Sequence, residues 1–277
     1  MRQINRQKGM TLIELMIAGV LGLVISYFVM NIMISSNRVA ASSDGIAQAQ
    51  ESGRFIMSWL REEVRRAGYA PVLSTATSVI PFVANTECTT TSLPPADGAD
   101  CSFDSNSSND RIAIRWTYNP DSAVDRDQQD CTGTSISFTE DTNLIDVYWV
   151  ETDTGTGGDS YDDVLRCVTY NDDTGVIISP QAQTIASGIL GMQVLYGETV
   201  SPLSTGETNV TRYINGSNVT NWSNIQAVRL SILTRSFSTT TADNATRSYI
   251  LLDADAYTFT DRDSYYIQTT TIALHNR

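Results

Sequence analysis

The chain has 277 residues, with 31 acids against 18 bases, a formal net charge of −13 and a single histidine, His275. That balance argues against the polyanionic backbone of a nucleic acid as a partner. One histidine next to the C-terminus also leaves little material for a Ser-His-Asp triad or a His-rich zinc site. The length allows one large or two small domains, and four cysteines, all beyond residue 87, suit two disulfides in an oxidising compartment.

Residues 1–9 carry Arg2, Arg6 and Lys8 and no acid. An apolar run follows from Met10 to Ile34, in which Glu14 is the only carboxylate. As a helix this run is roughly 37 Å long, enough to cross a bilayer with some tilt. The basic flank stays on the cytoplasmic side, which puts everything after residue 34 across the membrane. Three readings compete. A secretory signal peptide has a small-residue cleavage site in Val39-Ala40-Ala41, but its apolar core is typically ~7–15 residues. A plain anchor leaves Glu14 unexplained, since a carboxylate within a span costs roughly 2.5–3.5 kcal/mol on insertion scales. The third reading accounts for both features. Gly9 followed by an apolar residue, with Glu14 fifth after it, resembles the class III signal of type IV pilins and type II secretion pseudopilins. The resemblance implies cleavage by a prepilin peptidase between Gly9 and Met10, N-methylation of Met10, retention of the apolar helix, and a subunit-assembly role for Glu14. Loss of the leader takes Lys+Arg from 18 to 15 against 31 acids, a net of −16, and removes the only lysine.

Within the span, Glu14, Ala18, Gly22 and Ser26 recur every fourth residue, and small residues at this spacing let helices approach closely. No proline interrupts residues 10–70. Ile46, Ala49, Gly53, Ile56 or Met57, Leu60, Val64 and Ala67 keep the three-four spacing of an amphipathic helix. Gly68 followed by Pro71 is a stop signal. One helix is therefore expected from about Met10 to Ala67, half in lipid and half packed on a body.

From Pro71 to about Asp110 the sequence is rich in Thr, Ser, Asn and Pro and holds Cys88 and Cys101. Arg111–Tyr118 alternates with the period of a half-buried strand. Residues 144–150 and 164–170 flank a Gly/Asp/Thr-rich turn and read as a hairpin. Residues 191–197, 225–236, 249–252 and 265–274 complete a β-rich body. Helix and sheet together make an α+β architecture: a leader at 1–9, a long helix at 10–70 with its span at 10–34, and a body at 71–277. Asp153, Asp159, Asp162 and Asp163 offer oxygen ligands to calcium, but at a spacing unlike an EF-hand, and solvated turn acids are the commoner case. No cofactor motif and no catalytic constellation is apparent.

The later segments narrow the resemblance. Ile185–Gly197, Trp222–Ser236 and Thr269–Arg277, with Gly53-Arg-Phe and Leu60–Tyr69 at the helix end, look like PilW-type minor pilins and share features with the J-type pseudopilins. This implies a type IV pilin-like fold and a non-enzymatic subunit that primes or caps a type IV pilus. Its implied partners are other minor pilins, the major pilin, the prepilin peptidase, the inner-membrane assembly platform and a tip adhesin, in a setting of adhesion or twitching motility. The protein would sit in a bacterial inner membrane, single-pass with its body in the periplasm, and then near the tip of the pilus. A secretion pseudopilin and a membrane-tethered periplasmic binding protein are the alternatives. Of the three cysteine connectivities, Cys88–Cys101 with Cys131–Cys167 is preferred, because it closes a short loop in the Ser/Thr-rich segment and clips a loop to the hairpin.

Overall fold

The computed structural model describes residues 9–71, 79–84, 102, 104–105, 109–122, 124, 128–152, 163–178, 182–199, 209–236 and 244–274. The leader before Gly9, Cys88, Cys101, His275 and three of the four acids at 153–163 lie outside them.

Helix α1 spans Leu12–Arg65, 54 residues without a break. Thr11 caps its start in extended conformation, and Gly68, at φ +76°, turns the chain away just past its end while donating its N–H to the Arg115 carbonyl. Glycine is the residue that reaches this left-handed conformation without strain. From Met10 to Ile34 every large apolar side chain is exposed, so the first half of α1 packs against none of the described residues of the body. The second half buries Gly45, Ala49, Gly53, Ile56, Met57, Leu60, Glu63 and Val64. Ile46, expected inside, is 41 % exposed, and Gly45 takes its place. The reason is close approach: a Cβ on Gly53 would stand 2.9 Å from the Gln268 amide and 3.1 Å from Thr234 Cγ2. The helix therefore turns its smallest residues to the sheet at this end.

Two four-stranded antiparallel sheets and a hairpin form the body. The first sheet runs β1 (Arg111–Tyr118), β2 (Thr142–Thr152), β3 (Asp163–Asn171), β4 (Gln183–Ser187) in that order. The second contains β5 (Ile189–Glu198), β6 (Arg212–Ile214), β7 (Ile225–Arg235) and β10 (Tyr265–Ala273), ordered β10-β7-β5-β6. Between β7 and β10, β8 (Ala245–Tyr249) pairs with β9 (Tyr257–Asp261). The segment 249–252, expected as a strand, is the end of β8 and the turn after it, where Leu252 sits at φ +49°. β1 is not half-buried but buried on both faces: Ile112 and Ile114 enter the main core, while Ala113 packs with Val83, Ile145 and Val147 on the other side, and residues 81–84 run along its edge with bonds from Val83 N–H to the Ala113 carbonyl and from Arg115 N–H to the Pro81 carbonyl. The chain passes between sheets at Gly188, φ +77°, whose N–H binds the Asp163 carbonyl and whose carbonyl accepts from Arg235 N–H. One apolar core joins Ile56, Leu60 and Val64 of α1 to Ile112, Tyr148 and Leu165 of the first sheet and to Val194, Leu230 and Ile272 of the second.

Candidate functional site

Gly9 and Met10 precede the helix and are exposed, with nothing within 4 Å of a Cβ placed on Gly9. The peptide bond that joins them is thus open to a processing enzyme. Thr11 and Glu14 form a reciprocal cap. The Glu14 N–H donates to Thr11 Oγ1 at 3.3 Å, and Glu14 Oε2 accepts from the Thr11 N–H at 3.0 Å and from its hydroxyl at 2.9 Å. A capping box of this kind satisfies amide donors that a helix start otherwise leaves bare. It also supplies Glu14 with partners inside its own chain, a point that the apolar setting alone does not disclose. Ala18, Gly22 and Ser26 are exposed further along the helix. Each step of four residues overshoots a turn by about 40°, so the stripe winds around the helix rather than forming a straight seam.

At the other end of α1 lies a buried polar cluster that the sequence did not announce. Arg66 Nη2 binds Asp146 Oδ2 and stands 3.6 Å from Glu63 Oε2. Its guanidinium lies 3.7 Å over the Trp116 ring, and Nη1 donates to the Gln129 carbonyl at 3.1 Å. The Tyr148 hydroxyl donates to Glu63 at 3.0 Å, and Thr169 Oγ1 donates to Asp146 Oδ1 at 2.6 Å while accepting from Cys131 N–H at 2.9 Å. The disulfide Cys131–Cys167 closes the same region, with Cα atoms 6.2 Å apart. Nothing local in the sequence marks Arg66 as buried. Its position one turn beyond Glu62 and Glu63 carries no local sign that Asp146 waits opposite.

Another buried carboxylate sits where β5 meets the residues before β1. Asp110 accepts from Ser105 N–H at 2.9 Å and Val194 N–H at 2.8 Å. Burial pushes its carboxyl up to about 7, the two N–H donors oppose this, and Asp104 and Asp253 nearby add to it. Beside it the Asn109 side chain bridges the Leu190 carbonyl, the Met192 N–H and the Tyr257 hydroxyl, which ties the β8–β9 hairpin to β5. Asp163, the described acid of the Asp-rich turn, faces Arg235 at 3.7 Å. None of these groups forms a nucleophile with a base beside it. The cluster is suited to holding the helix on the body.

Comparisons with known proteins agree with these two ends of the chain. Residues 4–26 match the prokaryotic N-terminal methylation motif, and residues 147–276 match the family described as type IV pilus-assembly protein W. Among solved structures, a type IV-like pilin from Thermus thermophilus aligns with 83 % of this chain and 98 % of its own, at 13 % identity and a TM-score of 0.44. No curated protein matches the chain significantly.

Proposed function

We propose that this chain, whose residues 147–276 match the family described as type IV pilus-assembly protein W and whose residues 4–26 match the N-terminal methylation motif, is a minor pilin that primes or caps the filament together with other minor pilins. The observation that carries this reading is the division of α1: bare and apolar on every side up to Ile34, yet buried against both sheets from Gly45 onward. A core helix of a soluble body would be covered throughout. Here the uncovered half is long enough to cross a membrane and, once extracted, to enter a bundle of like helices.

In this reading the leader at 1–9 is cut after Gly9 by the prepilin peptidase, Met10 is methylated, and the subunit waits in the inner membrane with its body at 71–277 in the periplasm. Glu14 then recruits it by attracting the positive N-terminus of a neighbour. One carboxylate oxygen is held by Thr11 and aimed along the helix start, so the charge is pre-positioned rather than free to rotate. Ala18, Gly22 and Ser26 permit close contact with adjoining helices. The major pilin, the assembly platform and a tip adhesin are the partners of the assembled state. The protein acts as a structural subunit and not as an enzyme. Intact-mass measurement of membrane-extracted protein tests the premise: the mature chain begins at Met10, carries one added methyl and lacks the leader. A chain beginning at Ser42 overturns it.

A further inference from the structure

The four outer edges of the two sheets are not alike. The β1 edge is covered by residues 81–84. β4 is five residues long and its pairing with β3 slips between Leu165 and Arg166, while β6 has only three residues. β10 is different: nine residues, Tyr-Tyr-Ile-Gln-Thr-Thr-Thr-Ile-Ala, in unbroken register with β7 from Tyr265↔Arg235 to Ala273↔Ala227. It has no charge, no proline and no bulge, the devices by which proteins usually blunt an edge.

The direction of its backbone follows from the bonds at its two ends. Leu274 N–H binds the Gln226 carbonyl, and Ser236 N–H binds the Ser264 carbonyl. Because bonded and non-bonded pairs alternate in an antiparallel ladder, the even-numbered residues point their backbone groups at β7. The N–H and C=O of Ile267, Thr269 and Thr271 therefore point outward. Those of Ile267 and Thr269 open into a groove of about 460 Å³ between β10 and α1, lined by five consecutive residues, 266–270, and across from them by Arg54, Ser58 and Arg61. Arg54 and Arg61 lie two helical turns apart on one flank, roughly 10 Å along the axis. Arg61 donates to Thr270 Oγ1 at 2.7 Å and has no carboxylate partner among the described residues, while Arg54 pairs only with the solvent-exposed Glu51. On a chain with 31 acids this is a local excess of positive charge beside a strand edge that pairs with no described strand.

We propose that the outer edge of β10 is a docking edge for an extended, carboxylate-bearing segment of another polypeptide. The segment adds as a fifth strand, bonding to the backbone of Ile267, Thr269 and Thr271, and sets carboxylates two to four residues apart against Arg54 and Arg61. A second copy of this chain fits poorly, since pairing edge to edge would bring the two arginine flanks together.

The test uses the full chain in detergent, with a fluorescent, capped octapeptide of alternating Glu and Thr and its Lys/Thr counterpart as probes. Fluorescence anisotropy is expected to show saturable binding of the Glu peptide alone. Thr269→Pro removes one outward N–H at an exposed position, so the fold persists while binding is lost. Arg61→Glu weakens binding by at least about tenfold and leaves the strand intact. Three results each overturn the proposal: equal binding of the Lys peptide, full binding by folded Thr269→Pro, or no saturation at millimolar Glu peptide. A β10-dependent dimer that Thr269→Pro dissociates overturns the choice of occupant.

Discussion

Arg66, the residue that ends α1, donates to Asp146 at the centre of β2, 80 residues further along the chain. Both side chains are almost wholly withdrawn from water. The pair fastens the membrane-proximal helix to the first sheet, and Glu63 and Tyr148 extend the fastening by one turn. Removing one partner of a buried ion pair costs roughly 3–5 kcal/mol, because the other charge is left desolvated. The two partners are not equivalent here. Without Asp146, Arg66 still faces Glu63; without Arg66, two buried carboxylates face each other. Arg66→Met is therefore expected to destabilise the body more than Asp146→Leu, and the double variant less than their sum. Urea unfolding of the four proteins measures the ranking.

The Cys131–Cys167 disulfide acts on the same region, because Cys131 N–H is bonded to Thr169, which is bonded to Asp146. Closing a loop of 36 residues contributes on the order of 3–4 kcal/mol through the unfolded chain. The Cys131→Ala/Cys167→Ala protein is expected to lose about that much. It is also expected to show faster amide exchange at Thr169 and Asp146, the residues that the closed loop holds in place.

Asp110 gives the body a pH dependence of unusual sign. Its carboxyl is raised to about 7 in the folded protein, from an ordinary value of 3.8. Between these values the folded state holds a proton that the unfolded state has released. Stability from this group is therefore fullest at the acid end and falls as pH rises, by up to ~1.4 kcal/mol per unit, levelling off above about pH 7. Comparing urea midpoints at mildly acidic and mildly alkaline pH checks this. In Asp110→Asn the contribution of this site to the slope disappears.

Glu14 completes the capping box, and under the proposed function it also recruits a neighbouring subunit; substitution can separate the two. Glu14→Leu removes both the charge and the capping box, so a defect in that variant is ambiguous. Glu14→Gln keeps a side chain that still completes a capping box with Thr11, and removes only the charge. Mature, folded Glu14→Gln protein is expected to accumulate in the membrane and to be depleted from sheared filaments. Its normal incorporation would reject the recruiting role and leave the rest of the proposed function standing.

How much of this was legible in advance depends on the distance over which each feature is decided. The apolar run, its basic flank, Gly9 followed by Met10, and Glu14 five residues on are local facts, and a single helix preserves local spacing. The amphipathic repeat from Ala49 to Ala67 was readable because burial on one side of a helix imposes its period on the sequence, and the strands at 111–118, 144–150, 164–170 and 225–236 because they are short runs rich in β-branched and aromatic residues. The Arg66–Asp146 pair was not readable, since a buried arginine and an exposed one are written with the same letter. Ile46 and Gly45 exchanged places because the helix–sheet distance, set by Gly53 against Gln268 and Thr234, decides which neighbour turns inward. The burial of both faces of β1 required a second apolar cluster, in which Val83 from a distant segment joins Ala113, Ile145 and Val147. Whether β10 is a centre or an edge depends on which strands pair, and pairing is settled between segments tens of residues apart. The chain's own order thus determined its apolar helix, its N-terminal methylation motif and its elements, while only the packed body decided which charges are buried and which strand edge stays open among the described residues.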